Sequence, residues 1–321
     1  MHTELTKNNC KLLSIVIPVL NEKENLPLIY RRIVDVMKKL PYDYEIICVD
    51  DGSYDGTYEY VEHLSKTDRK VKCIQLSRRF GHQNSIMIGF QYAKGDIVIT
   101  MDADLSHPPE YFSEMLNAWE QGYQIVLMAR ERNNNTSFLR RKASDIYYYI
   151  LNILSSTTIT PNSAEYRLLD KKVLLEIRKF SEASPFIRGI VGWLGFRKKV
   201  ITFKEEQRIY GKTKYSMLKM LILAFDSAIS FSNRPLYISI VIGSVITAAS
   251  FSYMFYIFFM EFFFSSYHVA GWTSLMVLLL GLSGIQLLSI GVLGIYIGKI
   301  FTNSKSRPIG VVNKTSGFDL Q

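Results

Sequence analysis

The sequence is poor in cysteine, with only Cys10, Cys48 and Cys73 in 321 residues. Three widely spaced cysteines exclude a disulfide framework and a Cys-x-x-Cys zinc site, and they fit a reducing, cytosolic setting. The glycine-rich signatures of P-loop ATPases and Rossmann dehydrogenases are also missing. So are the His-Glu-x-x-His motif of zinc proteases and the Gly-x-Ser-x-Gly motif of serine hydrolases. These absences remove four common enzyme classes from consideration.

Charge is missing from two long apolar stretches. Residues 236–260 contain no Asp, Glu, Lys or Arg, and residues 262–298 contain none either. Each stretch is longer than the roughly 20 residues that a helix needs to cross a bilayer. Arg234 precedes the first stretch and Lys299 follows the second. By the positive-inside rule, we expect a two-helix transmembrane hairpin over 234–303 with both flanks in the cytoplasm.

The overall composition excludes a disordered protein, because 48% of the residues are hydrophobic. The formal net charge is +9, from 38 Lys and Arg against 29 Asp and Glu. A basic protein often binds nucleic acid. Here, however, part of the excess charge flanks the apolar stretches, where it orients an anchor and suits anionic lipids. We therefore expect membrane lipids as partners and no nucleic acid.

The first 130 residues alternate between short apolar runs and helical patterns. The runs with strand character are Leu13–Val19, Tyr44–Val49, Val71–Leu76, Asp96–Met101 and Gln124–Met128. The helical patterns are Glu24–Leu40, Gly56–Thr67, Gln83–Ala93 and Pro109–Gln121. Strands that alternate with helices predict βαβ units and a mostly parallel sheet, hence an α/β domain. Ligands of such sheets bind at the carboxyl ends of the strands.

Acidic residues follow two of these predicted strands. Asp102 and Asp104 lie two apart after the fourth strand, so both carboxylates can reach one ion. Hard oxygen ligands of this kind suit Mg²⁺ or Mn²⁺. A solvated turn is the alternative, although the position after a buried strand favours metal binding. Asp50 and Asp51 follow the second strand, where they either form an Asx-type turn or face a donor-rich ligand such as a nucleoside.

Basic residues gather after the fifth predicted strand. They are Arg130, Arg132, Arg140, Arg141 and Lys142, and Arg188, Arg208, Lys212 and Lys214 extend the series. Guanidinium groups match phosphate geometry, so a basic cluster beside an acidic metal site indicates a second anionic substrate. A solvated charged face is the alternative. His82 and His107 lie near the same predicted crevice but lack the spacing of metal ligands.

Several motifs occur in a specific order. They are IPVLNE (17–22), VDDGSYDGT (49–57), LSRRFGHQ (76–83), GDIVITMDADLSHPPE (95–110), RGIVGWLGF (188–196) and GKTKYS (211–216). In this order they resemble the polyprenyl-phosphate glycosyltransferases of glycosyltransferase family 2. The segment LGIYIGKIFTNSKSRP (293–308) is similar to the end of bacterial bactoprenol glucosyltransferases, and dolichol-phosphate mannose synthases are similar relatives. The resemblance covers nearly the whole chain.

The resemblance implies a GT-A nucleotide-sugar-binding domain with amphipathic surface helices and two transmembrane helices. The implied domains are a cytoplasmic GT-A domain (1–210), an amphipathic juxtamembrane region (211–233), the hairpin (234–303) and a cytoplasmic tail (304–321). The implied reaction is inverting transfer of one sugar, with glucose from UDP-glucose as first choice, to undecaprenyl phosphate. It takes place on the cytoplasmic face of the bacterial inner membrane, upstream of a flippase. Assembly into homo-oligomers stays open.

The resemblance also implies roles for particular residues. The nucleotide-sugar pocket comprises Pro18, Asn21, Glu22, Asp50, Asp51, Asp102, Ala103, Arg208 and Lys214. Asp102 and Asp104 hold the Mg²⁺ or Mn²⁺ ion. Arg130, Arg140 and Arg141 meet the lipid phosphate, and Arg130 also counts among the catalytic residues. Glu165 is the candidate for a catalytic base, although a phosphate acceptor is already largely ionised and we expect no indispensable base.

Three alternatives remain open at this point. The first alternative is a different donor, namely GDP-mannose, a UDP-N-acetylhexosamine or a UDP-aminoarabinose derivative instead of UDP-glucose. It stays open because residues such as Leu20 and Ser106 depart from the family pattern. The second alternative is a processive polysaccharide synthase, which shares the nucleotide-sugar domain. The third is a non-catalytic membrane scaffold, against which the retained acidic and basic residues argue.

Overall fold

The structure is a computed structural model that describes residues 11–131, 163–183, 185–205, 234–264 and 271–318. The chain divides into two compact units. One contains the sheet and the helices packed on it, and the other contains two long apolar helices.

The first unit is built on one sheet, to which the described residues contribute eight strands. They are β1 (Leu12–Val19), β2 (Asp43–Asp50), β3 (Val71–Leu76), β4 (Ile97–Thr100), β5 (Ile125–Arg130), β6 (Ser163–Asp170), β7 (Lys198–Phe203) and β8 (Val312–Ser316). Their order is β7-β5-β6-β4-β1-β2-β3-β8. The central strands β4, β1, β2 and β3 run parallel, whereas β6 and β8 are antiparallel to their neighbours.

Helices connect and cover these strands. They are α1 (Leu26–Met37), α2 (Thr57–Thr67), α3 (His82–Tyr92), α4 (Phe112–Glu120), α5 (Lys171–Ile177) and α6 (Ile187–Trp193). A 3₁₀ turn at Pro109–Tyr111 precedes α4. The sequence-predicted strands and helices of the first 130 residues are therefore confirmed to within about two residues at most ends, the usual scatter of element boundaries.

The core explains why β1 reads as a continuous apolar run. Every residue from Leu13 to Val19 is buried, because helices cover both faces of the central parallel strands. On one face α3 lies so close to β1 that a Cβ at Gly89 would come within 2.3 Å of Val16 Cγ1. Glycine at this position permits the contact, and the contact sets where the amino end of α3, with His82, meets the carboxyl ends of the strands.

The second unit consists of α7 (Arg234–Phe264) and α8 (Trp272–Ser304). Among the described residues, one segment, Gly281–Ser304, is long and apolar enough to cross a membrane, and a shorter apolar helical stretch covers Ile240–Tyr253. Large apolar side chains such as Phe255 are exposed. The predicted pair of transmembrane helices is thus not confirmed as a pair by length and composition. The predicted juxtamembrane region lies outside the described residues.

The end of the chain returns to the first unit. Strand β8 pairs antiparallel with β3 and forms one edge of the sheet. The sequence-based division treats 304–321 as a tail and does not anticipate this pairing. The α/β class and the mostly parallel sheet are confirmed.

Candidate functional site

The loops after β1 and β2 interlock at the carboxyl edge of the sheet. Asn21 has a left-handed backbone, with φ of 56°. Its N–H donates to Ser53 Oγ at 2.9 Å, and its side-chain Oδ1 accepts from the Tyr54 N–H at 3.1 Å. The Glu22 N–H donates to Thr57 Oγ1 at 2.9 Å. The structure therefore brings the predicted residues Asn21 and Glu22 against the loop that carries Asp50 and Asp51, with Pro18 on the strand before them.

The adjacent residues Asp50 and Asp51 bind different parts of the backbone. Asp50 is fully buried and accepts the Ser53 N–H, three residues on, at 3.2 Å, so its side chain closes the loop after β2. Burial raises the pKa of this carboxyl group. Asp51 instead accepts backbone N–H groups from the loop after β3, from Phe80 at 2.6 Å and from Gly81 at 3.0 Å. Asp51 thus ties two loops of the candidate pocket together.

A tight turn carries Asp102 and Asp104 after β4. The Asp102 N–H donates to His107 Nδ1 at 2.9 Å, and Asp104 Oδ1 accepts from the Ser106 N–H at 3.1 Å. Leu105 adopts a left-handed backbone, with φ of 64°, which is costly for a side chain other than glycine, asparagine or aspartate. Strained backbone held by its surroundings is common at functional sites. The predicted pocket residue Ala103 is buried in the same turn.

The side chain of His107 accepts a hydrogen bond from the backbone of this turn. Its side chain is fully buried and stacks on Tyr166, with ring centroids 5.1 Å apart. Burial lowers its pKa, so the ring is neutral at pH 7. Because Nδ1 accepts the Asp102 N–H, we assign the ring proton to Nε2. A neutral histidine is therefore the acceptor that holds the backbone of Asp102.

A second histidine lies on the other side of Asp102. His82 Nε2 is 3.3 Å from Asp102 Oδ1, without hydrogen-bond geometry. The sequence predicts both histidines near the crevice but indicates no role for them. The signal was positional: His82 opens the helix after the third strand, and His107 shares a turn with Asp102.

Glu165 lies in a buried ion-pair cluster on β6. Its Oε1 is 2.6 Å from Arg188 Nε, and its Oε2 contacts Arg167 Nη2. Although burial alone would raise its pKa, the two guanidinium groups lower it to about 2. Arg167 is 1% exposed, and within the described part of the chain its Nε and Nη1 have no hydrogen-bond partner. A carboxylate so strongly paired is a weak base at pH 7.

The basic residues are only partly within the described structure. Arg130 ends β5, where its Nε lies 3.0 Å from Glu205 Oε1. Arg140, Arg141, Arg208 and Lys214 lie outside the described residues. Their predicted contacts with lipid and donor phosphates therefore stay predictions.

The turn at Asp102 fits a hard divalent cation. Asp102 Oδ1 is buried and accepts no hydrogen bond from the described residues. Carboxylate oxygens are the ligands that Mg²⁺ and Mn²⁺ prefer. Over the described ranges, no group of three or more His, Cys, Asp or Glu side chains is arranged to hold a metal. Two carboxylates alone suit an ion whose remaining ligands are waters and substrate phosphates, as is usual for Mg²⁺.

Comparison with known proteins identifies relatives over nearly the whole chain. An uncharacterized glycosyltransferase, YkcC of Bacillus subtilis, is 37% identical over 306 residues, which cover 95% of this chain and 94% of that protein. The prophage-derived bactoprenol glucosyl transferase of Shigella flexneri is 33% identical over 303 residues, which cover 94% and 98%. A bactoprenol glucosyl transferase homolog of Escherichia coli K12 is 32% identical over 302 residues, which cover 94% and 98%.

The family model for glycosyl transferase family 2 matches residues 14–178, which include most of β1, all of β2 to β6, and the loops that carry Asp51 and Asp102. The predicted GT-A-like α/β fold agrees with this match. From these relatives and this match, we conclude that the chain belongs to glycosyl transferase family 2 and is a glycosyltransferase.

Proposed function

We propose that this protein transfers one sugar from a nucleotide sugar to undecaprenyl phosphate, with glucose from UDP-glucose as the first choice of donor. The observation that carries the proposal is the match to bactoprenol glucosyl transferases over 94% of this chain. The match extends beyond the sheet into the apolar helices that a lipid-phosphate acceptor would require. Bactoprenol in the names of those relatives supports polyprenyl-phosphate glycosyl transfer as the general reaction.

The interlocked loops at the carboxyl edge of the sheet form the donor site in this proposal. The backbone N–H groups of Asn21 and Glu22, which follow β1, donate to side chains of the loop after β2. Asp51 lies in that loop and accepts hydrogen bonds from the loop after β3. Carboxylates accept hydrogen bonds from a nucleobase N–H and from ribose hydroxyl groups. Ligand binding at this edge is the rule for open α/β sheets. The acidic loops thus suit the nucleoside half of the donor.

Asp102 and Asp104 would hold the Mg²⁺ or Mn²⁺ ion, which when bound neutralises the charge of the leaving diphosphate. The protein's own contribution is to position the carboxylates. His107 fixes the backbone of Asp102, and Ser106 orients the carboxylate of Asp104. Preorganised groups of this kind lower the barrier because they need not reorganise during the reaction.

The acceptor explains why a strong base is not needed. A phosphate monoester has a second pKa of about 6 and is mostly a dianion at pH 7. It can attack the sugar without losing a proton, unlike a hydroxyl group. We infer that Glu165 positions Arg188 and Arg167 rather than accepting a proton, since its pKa of about 2 leaves it ionised and paired. Arginines then bring two anionic substrates together.

For the membrane topology, we propose that both α7 and α8 cross the bilayer of the bacterial inner membrane. The uncharged stretches of both helices and the basic residues at Arg234 and Lys299 support this arrangement. Both termini and the sheet then lie in the cytoplasm, where nucleotide sugars are found.

The test uses the full-length protein in lipid nanodiscs with undecaprenyl phosphate. Radiolabelled UDP-glucose, GDP-mannose, UDP-N-acetylglucosamine and a UDP-aminoarabinose derivative are supplied in turn, with Mg²⁺ or Mn²⁺. We expect one donor, UDP-glucose, to give a lipid product that carries a single sugar. The matched variants are Asp104→Asn, which removes a proposed metal ligand, and Asp35→Asn, which alters an exposed acid paired with Lys38.

The outcomes separate the alternatives. Product formation that is lost in Asp104→Asn and kept in Asp35→Asn supports the proposal. Preference for another nucleotide sugar overturns the choice of glucose but keeps the reaction. A polymer instead of a single-sugar lipid indicates a processive synthase. No transfer from any donor, with a folded protein, indicates a scaffold and contradicts the proposal.

A further inference from the structure

The carboxyl-terminal segment docks on the edge of the sheet by more than strand pairing. Strand β8 aligns Cys73 with Ser316 and Gln75 with Lys314. The Ser316 hydroxyl group lies 2.7 Å from that of Ser65 on α2. We call residues 310–318 the tail segment. Its contacts extend beyond β8 in both directions along the chain.

At its far end, the tail segment closes tightly against the start of β3. Gly317 has φ of +79°, and a Cβ there would come within 2.4 Å of the Val71 carbonyl oxygen. Only glycine fits both the backbone conformation and the space. The ring of the next residue, Phe318, meets Tyr92 of α3 edge to face, with centroids 5.2 Å apart. The far end of the tail segment is therefore anchored at the start of β3, at the opposite end of this strand from the 77–81 loop.

At its near end, the tail segment contacts the loop after β3 (residues 77–81), whose backbone N–H groups donate to Asp51. The Ser77 N–H donates to the Val311 carbonyl oxygen at 2.8 Å, directly after β3 ends. A Cβ at Gly310 would lie 2.3 Å from Ile88 Cδ1 and 3.7 Å from the ring of Phe80. Phe80 is also one of the two residues whose backbone N–H groups grip Asp51.

These contacts form one continuous path. The tail segment accepts a hydrogen bond from Ser77, the N–H groups of residues 80 and 81 donate to the carboxylate of Asp51, and Asp51 lies in a loop of the proposed donor site. The same segment follows α8, which ends at Ser304.

We propose that the tail segment is a positioning element for donor binding, which keeps the 77–81 loop and Asp51 in the geometry that a nucleotide requires. This inference rests on the proposed function and deepens it. Without the tail segment, the 77–81 loop loses the backbone hydrogen bond between Ser77 and Val311. Asp51 would then sample other orientations, and the nucleotide would bind more weakly.

The test perturbs the far end of the tail segment and measures the donor site. Gly317→Ala places a Cβ against Val71. Its matched control is Gly122→Ala, at a similar φ of +88°, where a Cβ would meet only Arg197 Nη1 at 3.8 Å. UDP with Mn²⁺ is titrated into the full-length variants by calorimetry. Amide hydrogen exchange is followed in residues 77–81 and in β1.

We expect Gly317→Ala to weaken UDP binding by about tenfold, because the net free energy of roughly one hydrogen bond corresponds to about a tenfold change in affinity. Exchange should accelerate in residues 77–81 and stay unchanged in β1. Gly122→Ala should bind UDP as the wild type does. If Gly317→Ala does not fold, Gly310→Val perturbs the near end instead, where the added side chain would meet Ile88 and the ring of Phe80, and the same two measurements apply.

The inference is overturned if both tail variants bind UDP like Gly122→Ala while their melting temperatures fall, because the tail segment is then only structural. Failure of the proposed function has a different signature. In that case the wild-type protein itself binds no UDP and transfers no sugar, whatever the state of the tail segment.

Discussion

Replacing Glu165 by glutamine tests the buried ion-pair cluster most directly. The side chain of Glu165 is 10% exposed, and that of its partner Arg167 is 1% exposed. Glutamine keeps the size of the side chain but removes the negative charge. The substitution leaves the guanidinium of Arg167 buried without a counter-charge, and a buried unpaired charge is among the most costly defects in a folded protein.

Two independent arguments give the same magnitude. The fall of the Glu165 pKa from 4.5 to about 2 corresponds to about 3 kcal/mol of folding free energy at pH 7. Removing one partner of a buried ion pair typically costs about 3–5 kcal/mol. For a domain of this size, about 3 kcal/mol lowers the melting temperature by roughly 6–12 °C.

Thermal unfolding of the full-length protein in detergent measures the effect. The matched control is Glu176→Gln, which breaks the exposed pair with Lys179 and should shift the melting temperature by no more than about 2 °C. The double variant Glu165→Gln/Arg167→Met removes both charges and should recover most of the loss. Equal melting temperatures for Glu165→Gln and Glu176→Gln, or a double variant no more stable than Glu165→Gln, would refute the reasoning.

The same cluster predicts a pH dependence with a definite sign. Because the pKa of Glu165 is lower in the folded protein than in the unfolded chain, its contribution is fully present above about pH 5. The contribution is lost as the pH falls from about 5 toward 2. The stability difference between wild type and Glu165→Gln should therefore shrink over this range and stay constant from pH 6 to 8.

Three further predictions concern the loops. Asp102→Asn should abolish sugar transfer in the nanodisc assay, as EDTA should in the wild type, while the melting temperature changes little. His107→Phe keeps the stack on Tyr166 but leaves the Asp102 N–H without its acceptor. The metal concentration for half-maximal transfer should therefore rise severalfold. His107→Gln retains an acceptor, so its metal requirement should lie between those of the wild type and His107→Phe. Asp51→Ala should weaken UDP binding by about tenfold or more, because two backbone N–H groups lose their acceptor; unchanged UDP affinity would contradict its place in the donor site.

Much of the sheet could be predicted because its strands are buried on both faces. Burial on both faces favours runs made mostly of β-branched and aliphatic residues, which makes β1 and β4 recognisable without any tertiary information. The acidic loops were equally visible, since the carboxyl ends of parallel strands are where ligands bind. The antiparallel strands β6 and β8 were not identified, because their partners are distant in sequence and no local pattern specifies the pairing.

The roles of individual charged residues could not be read in the same way. Glu165 looked like a candidate base because the sequence shows a carboxylate but not its neighbours. Only the fold brings Arg188 beside it, 23 positions along the chain, and this contact changes its pKa and its role. Asp50 and Asp51 are adjacent in sequence, yet one closes its own turn and the other binds the loop after β3.

The α/β class, the order of the first strands, the acidic loops and the uncharged stretches of the last two helices can all be predicted from the amino-acid sequence. These features depend on local periodicity and composition, which burial imposes on contiguous residues. The tertiary structure alone decided which side chains share a site: the two histidines at Asp102, the arginines at Glu165 and the tail segment beside the loop that grips Asp51. Three of these contacts, His82 with Asp102, Arg188 with Glu165 and Val311 with Ser77, join residues far apart in the chain, and a short-range sequence pattern does not specify them.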